Sequence, residues 1–398
     1  MNKHLNLGLF GFGCVGQGLY DVLQQSQSFT ADIKKIVVKH RSKPRKIDMS
    51  HFAFDKEAIL GRDDLNVVVE LIDNSEEALA LVTEAMNKKW DVVTANKKLI
   101  AENFEFLYKL AQEKDVALLY EGAVAGGIPI LRNLEEYYDN ELLSRVSGII
   151  NGSSNYILTK MEKDKADYNA VVKQAQELGF AEIDPWLDVA GYDAKYKLVI
   201  LIVHAFGIIL KPEQVLNLGI NNITDFDIRY AAEKEKRIKL IATAFKDGDK
   251  LKAYVLPHLV TKDTPLYFIY NENNAVEVEG AFSDKQLFTG KGAGSYPTGS
   301  AVLSDVSALS YHYRYEFKKL QKNLNGNTTR KLQLDTKFDL TVYIRYNNEE
   351  ELKTLDIKET IEQYISAKNK YIIARVGFES LFNLMDRENK LFVCVIEE

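Results

Sequence analysis

The stretch Asn6-Leu7-Gly8-Leu9-Phe10-Gly11-Phe12-Gly13-Cys14-Val15-Gly16 decides the fold. Its first five residues read as a short strand, and Val15–Gln25 reads as a helix. Between them the glycines fall in the order G-x-G-x-x-G. That spacing is weak alone; between a strand and a helix it has the context a dinucleotide-binding turn requires. In that reading Gly11 makes the tight turn, Gly13 lets the backbone approach a pyrophosphate, and Gly16 lets helix meet strand. Phe12, Cys14 and Val15 belong to the same cradle, where helix N–H groups and the positive dipole end face phosphate. The bland alternative is a glycine-rich turn without a ligand.

Outward from this turn, strands alternate with helices. Strands are expected at Asp32–Lys39, Asn66–Ile72, Asp91–Thr94 and Val116–Tyr120, and helices at Glu76–Lys88 and near Asn103–Glu113. This alternation means βαβ units and a parallel sheet. The expectation is an α/β chain whose Rossmann-type dinucleotide-binding domain spans 1–132, completed by about 297–324. After Arg132 the pattern changes to an α+β domain over 133–296. It has strands at Leu142–Ile150, Lys252–Val260, Leu266–Asn271 and Ala275–Ala281, with helices at Tyr156–Lys163, Tyr168–Leu178 and Ala194–Leu210. A glycine loop, Gly290–Gly294, precedes a helix starting near Thr298. Residues 325–398 read as a small α/β module with strands at Phe338–Arg345, Tyr371–Val376 and Leu391–Ile396. Asn325–Thr329 reads as its hinge.

A chain of 398 residues, 46% hydrophobic, supports two or three domains with sizeable cores. Its net charge of −6 leaves no general nucleic-acid footprint. No apolar run reaches the roughly 18 residues of a membrane span; the longest, Leu198–Leu210, contains His204. The chain enters a strand at once, without a separate leader and cleavage site. Cys14 and Cys394, at opposite ends, argue against a disulfide framework. A cytoplasmic protein is the expectation.

The end of the second strand bears on the cofactor. An acid there would bind a ribose 2′-hydroxyl. The chain instead has Val38-Lys39-His40-Arg41-Ser42-Lys43. Lys39 and Arg41 suit an anionic 2′-phosphate, which favours NADP over NAD. The alternative is a solvated basic turn.

The second chemical signal is Glu182–Lys197, E-I-D-P-W-L-D-V-A-G-Y-D-A-K-Y-K. Glu182, Asp184, Asp188 and Asp193 gather with Lys195 and Lys197 at the mouth of an apolar helix. Charges there are costly unless they bind something. Asp193 and Lys197, four apart, share a helical face. One reading is a surface ion pair. The other places Lys197 at the edge of a core, where burial lowers an ammonium pKa towards neutrality and proton transfer. The neighbouring acids push the other way and offer anchors for a substrate's amino group. Lys195, on another face, is expected in solvent.

Lys97 follows the strand Asp91–Thr94, and ligands bind outside the carboxyl ends of such strands; the alternative is a solvated helix-start lysine. His204 reads as a core or partner-bonded histidine, Cys14 as small-residue packing. Ser153-Ser154 lack a hydrolase elbow.

Together these segments resemble homoserine dehydrogenase. The resemblance rests on G-F-G-C-V-G; on V-V-T-A-N-K-K at Val92–Lys98; and on E-G-A-V-A-G-G-I-P-I at Glu121–Ile130. It rests further on I-I-N-G-S-S-N-Y-I-L at Ile149–Leu158; on Gly179–Leu198; and on G-K-G-A-G-S-Y-P-T-G-S-A-V-L-S-D-V at Gly290–Val306. These lie in family order over about residues 1–310. The resemblance implies reversible NAD(P)H-dependent reduction of L-aspartate 4-semialdehyde to L-homoserine, in threonine and methionine biosynthesis. It implies Lys197 as the acid/base and Lys97 as a second lysine near nicotinamide and substrate. Glu182 and Asp193 would hold the substrate's amino group or orient the reacting water and lysine, with Asp188 in the same wall. Carbonyls near Glu121, Val124, Gly126 and Ile128 would hold Na⁺, and Gly294 would meet the cofactor. Residues 133–296 would bind substrate and form a homodimer, or a higher homo-oligomer, through strands within 252–281.

The chain departs from the family pattern in three places. Asp73-Asn74-Ser75 stands where many members carry Gly-Gly, and His40 where an acid is frequent. The 325–398 module lacks the Pro-Gly-x-Leu signature of a regulatory ACT domain, though a diverged ACT-like module fits its pattern. No kinase region precedes residue 1, so the monofunctional form is expected. Two rivals stand beside this reading: a dehydrogenase of another small amino-acid aldehyde, and a non-catalytic dinucleotide sensor.

Overall fold

The computed structural model describes residues 3–27, 29–139, 142–180, 183–324 and 332–397. Glu182 and the Asn325–Thr329 hinge lie outside them. The chain divides into two compact units, Met1–Asn140 with Lys291–Gln321, and Glu141–Gly290 with Lys322–Glu398.

The first unit carries strands β1 (Asn6–Phe10), β2 (Asp32–Val37), β3 (Phe52–Ala53), β4 (Val67–Glu70), β5 (Asp91–Thr94) and β6 (Leu118–Leu119). They form one sheet in the order β3-β2-β1-β4-β5-β6, every pairing parallel. This is the strand order of a dinucleotide-binding α/β sheet, with its switch point between β1 and β4. Helices α1 (Cys14–Gln25), α2 (Glu57–Leu60), α3 (Ser75–Asn87) and α4 (Lys97–Lys114) connect the strands. The core strands are apolar on both faces: Val67, Val68, Val69, Val92 and Val93 are all fully buried, as helix-covered parallel strands must be. The helix Ser295–Leu309 completes the unit by packing on α1, glycine against glycine. A Cβ on Gly18 would stand 2.0 Å from Ser295 O, and one on Gly299 would stand 2.6 Å from Gly18 C.

The second unit holds helices α5 (Gly152–Asp164), α6 (Tyr168–Glu177), α7 (Trp186–Val189), α8 (Tyr192–Phe206) and α9 (Asp225–Glu233). Its strands are β7 (Leu143–Ile149), β8 (Leu216–Asn217), β9 (Arg237–Asp247), β10 (Lys250–Val260), β11 (Asn273–Gly280) and β12 (Asp284–Lys291), continuing with β13 (Gln333–Leu334), β14 (Asp339–Tyr346), β15 (Ile357–Ile365), β16 (Lys370–Gly377) and β17 (Phe392–Ile396). They build one sheet along β12-β11-β7-β9-β10-β17-β14-β16-β15, with β8 and β13 also on β10. The strands expected in a separate C-terminal module are hydrogen-bonded into this sheet: β17 runs parallel to β10, Val395 opposite His258. Leu216, Tyr254, Val342, Phe378 and Val393 share one buried cluster.

Several elements differ from expectation, among them α9 and β12, for which no element was expected. Leu266–Asn271 is no strand: Pro265 opens a 3₁₀ turn, Pro265–Phe268, because proline fixes φ and cannot donate to a ladder. The apolar helix ends at Phe206, four residues early, because Gly207 turns left-handed at φ 66. β9 went unread since it is buried on both faces, which removes the alternation that marks a strand. β15 is largely exposed along its length, so it has no apolar face to read.

No helix among the described residues is long and apolar enough to cross a membrane.

Candidate active site

The glycine turn sits at the carboxyl end of β1. Gly11 takes φ +95, and its N–H donates to Val37 O at 3.0 Å. A Cβ on Gly11 would meet Leu71 O at 2.4 Å, and one on Gly16 would meet Gly11 O at 2.6 Å. Both glycines are therefore demanded by the fold. Gly13 differs: no atom lies within 4 Å of a Cβ built there. Its missing side chain leaves open space at the start of α1, which suits a pyrophosphate. The first turn of α1 carries no acid, and Gly13 and Cys14 are exposed while Phe12 and Val15 are half-buried. Cys14 is thus not packing filler, contrary to expectation; its carbonyl accepts from Ser295 Oγ at 2.7 Å. That bond sets Gly294, at φ +125 the cap of the Ser295–Leu309 helix, beside the turn.

Lys39 and Arg41 are exposed beyond β2. The Arg41 guanidinium lies 4.6 Å from the Phe54 ring centre. Arg45, which the sequence did not single out, orders this basic loop: it lies 4.8 Å from the Phe52 ring centre and donates to Lys43 O at 2.9 Å.

Lys97 opens α4 and is half-buried. Its turn is held by residues the sequence reading missed. Asn96 Oδ1 accepts from Leu99 N at 2.9 Å, and Asn96 Nδ2 donates to Ile72 O at 3.1 Å. Asn96 N donates to Thr94 Oγ1 at 2.9 Å, which donates to Glu70 Oε2 at 2.5 Å. Burial pushes the Glu70 carboxyl up to about 7, against its bonds from Thr94 and Ile72 N. The departure at Asp73-Asn74-Ser75 has a local cause: Asn74 caps α3, accepting from Glu77 N at 2.8 Å.

Glu121 is buried at the start of the proposed cation loop, where Gly126 takes φ +58 and Val124 and Ile128 are buried. Its carboxylate accepts from Leu131 N at 2.8 Å and Arg132 N at 3.0 Å, and its own N–H donates to Asp305 Oδ2 at 2.8 Å. Arg132 donates to Asp305 Oδ1 at 2.8 Å. Burial and then the Asp305 charge push Glu121 up to about 7, and burial pushes Asp305 up to about 6. Among the described residues no group of three His, Cys, Asp or Glu side chains could hold a metal. A cation here would rest on carbonyl oxygens, next to two carboxylates that face one guanidinium.

In the second unit the acid/lysine cluster converges on Asn151. This residue lies two positions beyond β7 and caps α5: its Oδ1 accepts from Ser154 N at 2.8 Å. Its Nδ2 donates to Asp188 Oδ1 at 2.7 Å and to Asp193 Oδ2 at 2.9 Å. Lys197 Nζ stands 2.7 Å from Asp193 Oδ2 and donates to Ile150 O at 2.8 Å. Asp193 is 5% exposed and Lys197 8%, so their pairing is no surface ion pair. Asp193 lies in the first turn of α8, where the helix dipole favours a carboxylate. Asn151 is the residue that sequence reasoning missed as a site member; a strand-ending Asn before Gly-Ser-Ser was the available signal. Lys195 corrects another expectation: it is 3% exposed, not solvated. Its Nζ lies 4.5 Å from the Tyr192 ring centre, and burial pushes it down to about 8. His204 is fully buried in α8, as expected.

Known proteins match both units. The family model described as homoserine dehydrogenase matches residues 129–307, and the homoserine dehydrogenase NAD binding domain matches 11–121. Homoserine dehydrogenase of Bacillus subtilis (strain 168) is 38% identical over 335 residues, covering 82% of this chain and 76% of that protein. A homoserine dehydrogenase structure from Thiobacillus denitrificans has TM-score 0.81 at 28% identity, covering 100% of this chain and 99% of that one. A hyperthermophilic archaeal homoserine dehydrogenase mutant in complex with NADPH has TM-score 0.67 at 25% identity, covering 79% of this chain and 100% of that one. With both domain models matched in sequence order and a relative of this identity spanning most of the chain, the protein belongs to the homoserine dehydrogenase family.

Proposed function

We propose that the protein catalyses the reversible reduction of L-aspartate 4-semialdehyde to L-homoserine, with NADPH preferred over NADH. The chain is an NAD(P)-dependent oxidoreductase of its family. The observation that carries the reading is the buried Lys197–Asp193–Asn151 network, with half-buried Asp188 bonded to it: a sensor has no need of a desolvated proton donor with its counter-ion.

The roles follow from the geometry. An ammonium has three donors. Lys197 gives one to Ile150 O, and Asp193 Oδ2 takes another. One remains for the aldehyde oxygen, to which Lys197 delivers its proton. Asp193 steadies the charge on Lys197 and fixes its Nζ. Asn151, saturating one oxygen on each acid, keeps Asp188 and Asp193 oriented. Asp188, with Glu182, takes the substrate's amino group. The bound nicotinamide supplies the hydride. Lys97 lies at the carboxyl end of β5, where the nicotinamide end of a dinucleotide is expected, and serves as the second lysine.

For the cofactor, Gly11, Phe12, Gly13, Cys14, Val15 and Gly16 form the pyrophosphate turn, with Gly294 beside it. Lys39 and Arg41 take the 2′-phosphate; the absence of an acid there supports NADP, as does the NADPH bound to the archaeal relative. The open space at Gly13 fits the dinucleotide. The acid excess beside 121–128 fits Na⁺ on the carbonyls near Glu121, Val124, Gly126 and Ile128. Residues 1–132 with 297–324 would act as the cofactor domain, and 133–296 as the substrate domain and homodimer contact. The protein would work in the cytoplasm, in threonine and methionine biosynthesis.

The test is nicotinamide absorbance with L-aspartate 4-semialdehyde, using NADPH and NADH separately. Faster turnover with NADPH is expected. Turnover with NADH alone overturns the cofactor preference; no turnover with either overturns the reaction.

A further inference from the structure

The segment that carries Asp188 is gripped from behind by the C-terminal part of its own unit. Two residues before Asp188, at the start of α7, the guanidinium of Arg387 lies 4.5 Å from the Trp186 ring centre. The same group stands 3.5 Å from Asp184 Oδ2. Arg387 sits in the turn that leads into β17, and this turn is anchored in its own right. Asn222 Nδ2 donates to Asn389 O at 2.8 Å and to Leu391 O at 3.0 Å.

The stretch that holds the turn also holds the other end of α7. Asn217 Nδ2 donates to Ala190 O at 2.7 Å, and Ile220 N donates to Val189 O at 2.6 Å. A Cβ on Gly219 would stand 1.9 Å from Val189 O, so the two backbones touch. Deeper down, Arg345 of β14 donates to both oxygens of Asp227 at 3.0 and 2.9 Å. Asp227, at the start of α9, is fully buried, so this pair ties the strands of the C-terminal part to α9 rigidly. Arg345 also donates to Asn222 O, so the residue that holds the Arg387 turn is itself held by β14.

α7 is a single turn of helix. A piece so short has little stability of its own and takes its position from what it packs on. Its Asp188 side meets Asn151; its Trp186 side meets Arg387. We propose that Arg387 is a positioning residue for the reaction, holding residues 183–189 from behind so that Asp188 keeps its place in the substrate wall. This rests on the substrate role given to Asp188 above.

The consequence is selective. Lys197 is held by Asp193 and Ile150, not by α7, so proton delivery does not depend on Arg387. An interaction that serves bound substrate and transition state alike shows in KM and not in kcat. An exposed ion pair and a cation over a ring are each modest, so Arg387→Ala should raise KM for the semialdehyde about three- to tenfold. The kcat, the NADPH affinity and the unfolding temperature should stay at wild-type values. Arg387→Lys should restore part of the KM. Arg375→Ala serves as the control: it removes an exposed pair with Asp339, at 3.0 Å, from the same C-terminal strands.

Titration with L-homoserine, read by tryptophan emission, reports the same affinity without turnover. The reading of the reaction stands or falls on the wild-type protein; the role of Arg387 stands or falls on the variant. A weaker homoserine affinity in Arg387→Ala alone is the expected result. An unchanged KM and homoserine affinity in Arg387→Ala overturns the proposal, as does an equal change in Arg375→Ala.

Discussion

The two candidate regions solve recognition with different parts of the chain. The Gly11–Gly16 turn offers backbone: its glycines remove side chains, and Gly13 keeps open space above the first turn of α1. The Asn151–Lys197 region offers side chains, buried and mutually bonded. A phosphate is met by N–H groups and a dipole, which any sequence without bulk can supply. A proton must be handed over by one atom, so that atom needs a fixed partner and little water. Damage to the first region should cost affinity; damage to the second should cost rate.

The largest effect is expected at Lys197. Lys197→Ala should lower kcat at least about a hundredfold, the usual scale for losing a general acid, measured at saturating NADPH. Next comes Asn151→Ala. It removes a helix cap and a donor to two acids, so unfolding in denaturant should show a loss of about 2–3 kcal/mol, together with a fall in kcat. If stability falls alone, Asn151 is only a cap. Gly13→Val should lower stability by no more than about 1 kcal/mol, the loss of a favoured N-cap residue, since nothing in the protein occupies its Cβ space. Its NADPH affinity should fall at least about tenfold, because the side chain fills the phosphate approach. A loss of stability with intact affinity would reverse the contrast between the regions. Arg41→Ala should reduce the preference for NADPH over NADH by about three- to tenfold, the loss of one charge-assisted contact.

The smallest effect sharpens the cation loop. Glu121 is raised from 4.5 to about 7. A raised acid stabilises the fold fully below its unfolded pKa and loses that contribution as pH climbs through the folded value. Wild type minus Glu121→Gln should therefore fall between about pH 4.5 and pH 7 in unfolding temperature. Parallel profiles would mean that Glu121 stays ionised in the fold.

The same contrast explains what could be read in the sequence. The glycine turn is local: strand, spacing and helix lie within a few residues, and the parallel sheet follows from the alternation around it. Lys197 and Asp193 were legible because i,i+4 spacing is also local. Asn151 was not, since its partners lie 37 and 42 positions away and only the tertiary fold joins them. Glu70, Thr94 and Asn96 escaped for the same reason, being linked across two strand ends. Lys195 was misplaced because helical spacing gives its angle but not what covers that face. Three C-terminal strands, β14, β16 and β17, were visible, but not their addition to the sheet of the second unit, because register between distant strands leaves no local mark.

The most direct test of the division is to measure NADPH binding and turnover side by side in Lys197→Ala. Fluorescence titration should give the wild-type Kd for NADPH, while semialdehyde reduction by the same sample falls at least about a hundredfold. Near-normal turnover, or loss of NADPH affinity along with the rate, would contradict it.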